Sequence, residues 1–208
     1  MNILIFGASG KTGKELVAQA LGDGHTVTAF VRTPEKLTEH HEKLTIIQGD
    51  VGDYAAVERT IRNQDVVLSA LGVSRPLKKD PVVVQGVSNI IKAMEKMNVK
   101  RFIYLSFLGV DGAVDAGFMI RNIISRIVRN EIEDHEEKER LITSSSLAFT
   151  IVRPPKLTNG SKRGSCRSGE AIKSTSILPS MSRKDVAHFM LKQISDDAFL
   201  HKAVRIMY

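Results

Sequence analysis

Short apolar runs alternate along the chain with apolar residues at helical spacing. The runs are rich in Val, Ile and Phe, which is typical of strands that are buried on both faces. They predict six strands: Asn2–Phe6, Thr26–Val31, Thr45–Gln48, Asp65–Leu71, Arg101–Leu105 and Ala148–Val152. Four predicted helices begin near Thr12, after Asp53, near Pro81 and after Ser182. We therefore expect an α/β protein with a Rossmann-like, doubly wound parallel sheet and helices on both of its faces.

Two regions fit this alternation less well. Residues 119–128 combine helical apolar spacing with interleaved arginines, and acidic residues follow them. One long helix would set these charges against its dipole, and Asn130 with Glu133 resembles a capping box. We therefore predict two helices that meet near Asn130 and pack on the core rather than on a membrane. We interpret residues 156–180 as an irregular, basic lid and Ala203–Met207 as an edge strand, all within one domain spanning 1–208.

Composition and charge indicate the compartment and the binding partners to expect. Cys166 is the one cysteine, which excludes an internal disulfide and fits a reducing compartment. Since no apolar stretch could span a bilayer and no signal-peptide pattern follows Met1, we expect a cytoplasmic protein without membrane contacts. Most of the net charge of +7 comes from the stretch between Lys156 and Lys184, which is either a solvated loop or a phosphate-attracting surface. This stretch has no aromatic residue on which bases could stack, so nucleic acid is not the expected partner.

A glycine-rich turn joins the first predicted strand to the first predicted helix. Glycines allow a tight reversal, a close approach of the backbone to a pyrophosphate and close packing of helix on strand, and the first amides of the helix then bind the phosphates. We assign to this dinucleotide site Gly7, Ser9, Gly10, Lys11, Thr12 and Gly13. The three residues from Gly10 also resemble the end of an NTPase phosphate loop, but that loop needs a glycine where Ile5 stands.

The end of the second predicted strand indicates which cofactor is bound. NAD-binding chains usually have an acidic residue about 20 positions after the glycines, where it binds the ribose hydroxyls. Arg32 stands there instead, and a guanidinium matches the 2′-phosphate of NADP. The alternative is an arginine that is merely solvated at the end of a strand. We expect NADP(H), with Lys36 as a further contact.

Several of these motifs, in their order along the chain, resemble the atypical short-chain dehydrogenases of the NmrA-like, NAD(P)-binding class. They are Gly7–Gly13, Val31-Arg32, Gly49-Asp50-Val51, Ala70-Leu71-Gly72 and Phe149–Pro154. The stretch from Met181 to Leu191 is similar to the biliverdin reductase B / NADPH flavin reductase group. The likeness covers essentially all 208 residues, and its motifs specify the superfamily well and the substrate poorly.

The resemblance implies a role for individual positions. Asp50 and Val51 would flank the adenine, and the ribose of the nicotinamide would be lined by Ala70, Leu71 and Gly72. Ser106 would lie near the nicotinamide, and the far wall of the site would be formed by Pro154, Pro155 and Lys156. All of these positions also follow the carboxyl ends of predicted parallel strands, where ligands bind in such sheets.

The chain also departs from its relatives. Ordinary short-chain dehydrogenases use a tyrosine and a lysine four residues later as the proton donor, and none of Tyr54, Tyr104 and Tyr208 has such a lysine. The flavin reductase group has a histidine near the place of Lys156, so this lysine is expected to orient an acidic substrate instead. Ser106 and Lys156 are the catalytic candidates. The histidines lack metal-site spacing, so no metal is predicted.

Two other histidines are interpreted as structural. His135 is expected at the surface of the acidic helix and His188 is expected to pack on the last helix.

Two functions from different classes fit these observations. The first is an NADPH-dependent reductase of small conjugated acceptors such as flavins (FMN among them), quinones or tetrapyrroles, because such acceptors can take their proton from water. The second is a non-catalytic NADP(H) sensor of the NmrA-like type that binds partner proteins. A nucleotide-dependent epimerase or dehydratase is a third, more distant alternative.

Overall fold

A computed structural model describes residues 1–72, 80–111, 129–174, 176 and 178–208. Its strands are β1 (Asn2–Phe6), β2 (Thr26–Val31), β3 (Leu44–Gln48), β4 (Val66–Ser69), β5 (Arg101–Leu105), β6 (Ala148–Arg153), β7 (Lys156–Thr158), β8 (Arg167–Gly169), β9 (Ser180–Ser182) and β10 (Lys202–Met207). Its helices are α1 (Lys11–Gly22), α2 (Tyr54–Ile61), α3 (Pro81–Lys96), α4 (Arg129–Thr143) and α5 (Arg183–Lys192). The six predicted strands and the four helices predicted near Thr12, Asp53, Pro81 and Ser182 are thus present, most of them within one or two residues of their expected bounds.

Eight of the strands form one sheet in the order β3-β2-β1-β4-β5-β6-β10-β8. Every neighbouring pair is parallel except β10 with β8. The chain winds outward from β1 to β3 and then returns to wind outward from β4, so the strand order reverses between β1 and β4. The expected doubly wound, Rossmann-like sheet is confirmed, and such a reversal opens a crevice at the carboxyl ends of the strands.

The two faces of the sheet are covered by different helices. Alternate residues of β1 point to opposite faces. Ile3 and Ile5 pack in the core beneath α1 and α5, whereas Leu4 and Phe6 pack in the core beneath α2 and α3. All four side chains are fully buried. This explains why the strand reads as a solid apolar run rather than as an alternating one.

Two helix starts follow the sequence closely. The Asp53 carboxylate accepts a hydrogen bond from the Ala56 amide at the start of α2. The Ser182 hydroxyl accepts one from the Lys184 amide at the start of α5. Each side chain satisfies an amide that would otherwise lack a helical partner.

One expectation about the second half of the chain is wrong. β10 lies between β6 and β8 and is therefore not an edge strand; β8 takes that place by pairing antiparallel with it. The segment 156–180 contains the two three-residue strands β7 and β8, of which β7 pairs in parallel with β9, and most of its other described residues are in neither a strand nor a helix. The helix α4 begins at Arg129, one residue before Asn130 and at the edge of the described residues, so the prediction of two helices that meet near Asn130 stays a prediction. The predicted amphipathic helix over 119–128 lies outside the described residues.

Within the segment 156–180, a single carboxylate holds the backbone of residues 163–164 in place. Asp185 of α5 accepts hydrogen bonds from the amides of Arg163 and Gly164 and from the Tyr208 hydroxyl. Backbone hydrogen bonds of this kind replace the packing that a polar, Gly- and Ser-rich sequence cannot provide. Across the described part of the chain, no helix has the length and apolar character needed to span a bilayer.

Candidate functional site

A cleft of about 700 Å³, part of it open to solvent, lies where the strand order reverses. We call it the cofactor cleft. Nine residues assigned from the sequence line it: Gly7, Ser9, Gly10, Arg32, Asp50, Val51, Ala70, Leu71 and Gly72. Val31 and Gly49, which belong to the motifs of the resemblance but were given no role, also line it. The remaining lining residues were not anticipated: Phe30, Asp80, Val82 and Val83. The structure therefore brings together positions that are up to 65 residues apart in the assigned set, from Gly7 to Gly72.

Glycine is required in the turn at the floor of this cleft. Gly7 has a φ of +75°, and a Cβ atom there would lie 2.6 Å from the carbonyl oxygen of Ala70. A Cβ atom on Gly13 would lie 2.1 Å from the carbonyl oxygen of Gly7. Both distances are far inside van der Waals contact. The turn can therefore pack against β4 and α1 only without side chains at these two positions.

The N-terminus of α1 faces the cleft without a side-chain cap. Gly10 is the N-cap residue, no side chain accepts a hydrogen bond there, and the first turn has no acidic residue. Its free amides and positive dipole end suit an anion. This uncapped end and the space that glycine leaves fit a dinucleotide pyrophosphate. Thr12 and Gly13 are buried in the first turn and Lys11 is exposed, and their proposed contacts with the cofactor stay predictions.

The loop after β3 is held against the cleft by a residue that the sequence analysis missed. The buried Asn89 of α3 donates its side-chain amide to the carbonyl oxygens of Val51, at 2.9 Å, and Gly52, at 3.2 Å. The Gly52 amide in turn donates to the Asp50 carboxylate at 2.8 Å. The only sequence signal was the position of Asn89 on the otherwise apolar face of the helix. Asn89 thus fixes the loop that carries two predicted adenine contacts.

Ser106 and Pro154 follow the carboxyl ends of β5 and β6, which are neighbours in the sheet. The Ser106 amide donates to the carbonyl oxygen of Val152, and the Leu108 amide donates to that of Pro154, each at 2.8 Å. Ser106 and Pro154 are both buried. Lys156, the other catalytic candidate, begins β7 with an exposed side chain. The structure thus places Ser106 in a packed wall and Lys156 at the surface.

Ser106 belongs to a buried polar cluster, which we define as Ser106, His135, Glu139 and Arg153. The Ser106 Oγ lies 2.5 Å from Glu139 Oε1 and 3.3 Å from His135 Nδ1. Arg153 donates to both oxygens of Glu139, from Nε at 3.1 Å and from Nη2 at 2.5 Å. Ser106, His135 and Glu139 are at most 6% exposed. The Arg153 guanidinium balances the negative charge of the Glu139 carboxylate, and this makes the burial of that carboxylate tolerable.

The cluster corrects our interpretation of His135. Its side chain is buried rather than at the surface, and its ring lies 5.2 Å from the Phe107 ring. Burial, together with the nearby charge of Lys138, lowers the pKa of His135 to about 3, so the imidazole is neutral near pH 7. The acidic composition of α4 suggested a solvated helix. Four polar residues nevertheless face inward at helical spacing: Asp134, His135, Lys138 and Glu139.

His188 is also placed differently from our expectation. It was expected to pack, but it is exposed, with its Nδ1 atom 3.2 Å from the Lys162 ammonium. Helical position alone had suggested packing, but the residues of α5 next to it, Ala187 and Phe189, fill the interface instead.

Neither Tyr104 nor Tyr208 is placed to act as the catalytic tyrosine of ordinary short-chain dehydrogenases. Tyr104 is fully buried in the sheet, and this burial raises its pKa far above the ordinary value. The Tyr208 hydroxyl donates to Asp185, and the Arg163 guanidinium lies 3.9 Å from the centre of its ring. Among the described lining residues of the cofactor cleft there is no tyrosine.

Comparison with known proteins gives relatives of similar fold. The (4-alkanoyl-5-oxo-2,5-dihydrofuran-3-yl)methyl phosphate reductase of Streptomyces griseus is 29% identical over 152 residues, which cover 73% of this chain and 46% of that protein. The chain therefore spans about half the length of this relative. A Veillonella parvula short-chain dehydrogenase/reductase solved in complex with NADP superposes with a TM-score of 0.83 at 19% identity, covering 100% of this chain and 94% of that one. ChuY, an anaerobillin reductase from Escherichia coli O157:H7, gives 0.80 at 21% identity, with coverages of 100% and 97%.

The family itself is shown by a match over most of the sequence. The model of a family described as NAD(P)H-binding matches residues 7–197, from the first glycine of the turn to beyond α5. This agrees with the resemblance that the motifs indicated. The chain belongs to this NAD(P)H-binding family.

Proposed function

We propose that the protein is an NADPH-dependent oxidoreductase that transfers hydride to a small conjugated acceptor, such as a flavin, a quinone or a tetrapyrrole like biliverdin. One observation carries the proposal: Arg32, at the end of β2, lines the same cleft as the glycine turn. A guanidinium at this place complements a 2′-phosphate, whereas NAD-specific proteins usually have a carboxylate there. The reductase among the relatives and the NADP complex of a structural neighbour support the same class.

Different residues along the cleft would bind different parts of the cofactor. The bound cofactor would supply the hydride. The uncapped end of α1 would bind the pyrophosphate, and the loop held by Asn89 would bind the adenine. Ser106 and Pro154 would border the reactive half. Since the Tyr/Lys pair is absent from the sequence, catalysis would rest on placing the two rings in contact, with the proton coming from water.

The direct test is to follow NADPH absorbance with FMN, riboflavin, a quinone and biliverdin in turn. We expect steady oxidation with at least one of them. Lys156→Ala should raise the KM for the acidic acceptors FMN and biliverdin and leave that for riboflavin unchanged, because the exposed ammonium would attract a phosphate or a carboxylate. Lys92→Ala, on an exposed position of α3, is the matched control. Tight NADP binding without turnover of any acceptor would favour the non-catalytic sensor instead.

The cofactor assignment has its own test. Arg32→Ala should reduce the preference for NADP over NAD at least about tenfold, since a charged hydrogen bond to the 2′-phosphate is lost. Arg62→Ala, which removes an exposed arginine just after α2, should leave the preference intact. An undiminished preference in Arg32→Ala would show that Arg32 does not bind the 2′-phosphate.

A further inference from the structure

The start of α3 forms one wall of the cofactor cleft. Asp80, the residue before the helix, lines the cleft together with Val82 and Val83 of the first turn, and Val82 is 49% exposed. Helix α3 also lies against the loop after β3, since a Cβ atom on Gly86 would lie 2.5 Å from Cγ2 of Val51. The first turn of α3 therefore borders the same part of the cleft as the loop with the predicted adenine contacts.

This helix start is capped in a way that leaves its cleft-lining side chains apolar. In a capping box, the third residue after the N-cap carries a Glu or Gln side chain that accepts a hydrogen bond from the N-cap amide. Here the N-cap is Asp80 and the third residue is Val83, which cannot accept one. Asp134 of α4 accepts it instead, with its Oδ2 atom 2.7 Å from the Asp80 nitrogen. Asp134 is 54 residues away along the chain and only 4% exposed.

The two helix starts at the cleft thus suit different parts of a dinucleotide. At α1 the amides are uncapped and the first turn has no acidic residue, which favours an anion. At α3 the Asp80 carboxylate accepts from the Val83 amide and Asp134 adds a second carboxylate, which disfavours a phosphate. Val82 and Val83 offer an apolar surface to a base instead. With the pyrophosphate at α1 and the 2′-phosphate at Arg32, as proposed above, the adenosine half lies at the start of α3.

We propose that Asp134 is a positioning residue of the cofactor site. It is not among the described residues that line the cleft, but it fixes the first turn of α3, whose Val82 and Val83 contact the adenosine half of the dinucleotide. A carboxylate at position 83 could make the same hydrogen bond, but it would bring a further negative charge into the cleft. The inference rests on the cofactor site of the proposed function and not on turnover.

The probe is adenosine 2′,5′-bisphosphate, which represents the adenosine half of NADP, and its dissociation constant is measured by calorimetry. Asp134→Ala removes the acceptor of the Asp80 amide, so the dissociation constant should rise at least about tenfold. Asp134→Asn should stay within about threefold of the unmodified protein, because its side-chain oxygen can accept the same hydrogen bond. Val82→Ala should raise the dissociation constant about threefold, because the apolar surface at the base is smaller.

Glu95→Ala distinguishes positioning from a general loss of stability. Glu95 lies near the other end of α3, about 20 Å along the helix from Asp80, and its carboxylate accepts a hydrogen bond from the Ser146 amide at 2.9 Å. The substitution removes the same kind of hydrogen bond from the same helix, and the affinity should stay within about twofold. Equal weakening by Asp134→Ala and Glu95→Ala, or a failure of Asp134→Asn to keep the affinity, would overturn the positioning role.

Hydrogen exchange tests the same link in the unmodified protein and decides the question if Asp134→Ala does not fold. Because coupling is reciprocal, a ligand that binds better when the Asp80 amide is held must also stabilise the hydrogen bond of that amide. Saturating adenosine 2′,5′-bisphosphate should slow the exchange of the Asp80 amide at least about fivefold more than that of the Ser146 amide. Equal slowing of the two amides would overturn the inference.

The outcomes separate this inference from the proposed function. If Arg32→Ala weakens binding of the probe and Asp134→Ala does not, the cofactor site stands and the inference fails. If both variants weaken it and the protein reduces no acceptor, the inference stands and the reductase proposal fails. A protein that does not bind the probe contradicts both.

Discussion

The carboxyl edge of the sheet differs between its β1 end and its β5 end. At the β1 end, which lines the cofactor cleft, the wall is backbone: glycines at positions 7 and 13 and the uncapped start of α1. At the β5 end, whose side chains are not among the described lining residues of that cleft, buried polar side chains meet instead, with Ser106 bonded to Glu139 and Glu139 bonded to Arg153. The first end depends on one short stretch of chain and the second on packing between elements that are far apart. They should therefore respond differently to substitution.

The largest effect is expected at the glycine turn. Gly13→Ala places a Cβ atom 2.1 Å from the carbonyl oxygen of Gly7, and two stretches of backbone must move apart to make room. We expect a loss of about 3 kcal/mol in the free energy of unfolding, measured by denaturant titration, and a fall of more than about a hundredfold in NADPH affinity.

The control for this variant lies at the other end of the same helix. Gly22→Ala adds a Cβ atom with no other atom within 4 Å, so stability should be unchanged or slightly raised. Equal effects of the two substitutions would show that the close approach at Gly13 does not matter.

A similar loss of stability is expected in the buried polar cluster. Glu139→Ala removes a carboxylate that accepts two hydrogen bonds from the Arg153 guanidinium, which is only 14% exposed. This should lower the free energy of unfolding by about 3 kcal/mol, because a buried charged group loses two charge-assisted hydrogen bonds.

The matched comparison is an exposed ion pair. Lys96→Ala removes the partner of Glu58, but the lysine is 58% exposed and water and salt already screen the pair. Its effect on the same denaturant titration should be far smaller. Similar losses in the two variants would contradict the view that burial makes the Glu139 pair important.

The contrast between the two ends explains what the sequence could predict. β1, α1 and the turn between them were predictable, because the residues that specify them lie within the same 22 residues. The central strands were predictable for the same local reason, as solid apolar runs. β8 was not, since three residues without an apolar pattern form a strand only because β10 offers them an open edge.

The site follows the same rule. Of the nine assigned residues that line the cleft, Gly7, Ser9 and Gly10 were assigned from a local motif and Arg32 from its place after the second predicted strand. The other five were assigned from the resemblance to a family. The polar cluster was missed, apart from Ser106, because Glu139 is 33 residues from Ser106 and is balanced by an arginine on another element. Acidic residues along a helix usually indicate a solvated face, and only the tertiary partner shows otherwise.

A smaller effect should come from Asn89, which supports the loop at the β1 end. Asn89→Ala removes the donor to the carbonyl oxygens of Val51 and Gly52, and these lose their partner. We expect about 1–2 kcal/mol less stability and a rise in the dissociation constant of NADPH. Gln85→Ala, whose side chain donates to Asn89 but not to the loop, should change affinity much less. The loop would be self-supporting if Asn89→Ala bound NADPH as before.

The smallest expected effect is a pH dependence of the free energy of unfolding, which tests whether burial keeps His135 neutral at the β5 end. Unfolding exposes His135, whose pKa then rises from about 3 to its ordinary value near 6.5. Between these values the unfolded state binds one more proton than the folded state, so the stability present above pH 6.5 is lost as the pH falls. Between pH 7.5 and 5.5 the free energy of unfolding should fall by about 1.4 kcal/mol more than in His135→Gln. His40→Gln, at an exposed position, should follow the unmodified protein. Parallel curves for the unmodified protein and His135→Gln would mean that the imidazole is not kept neutral by burial.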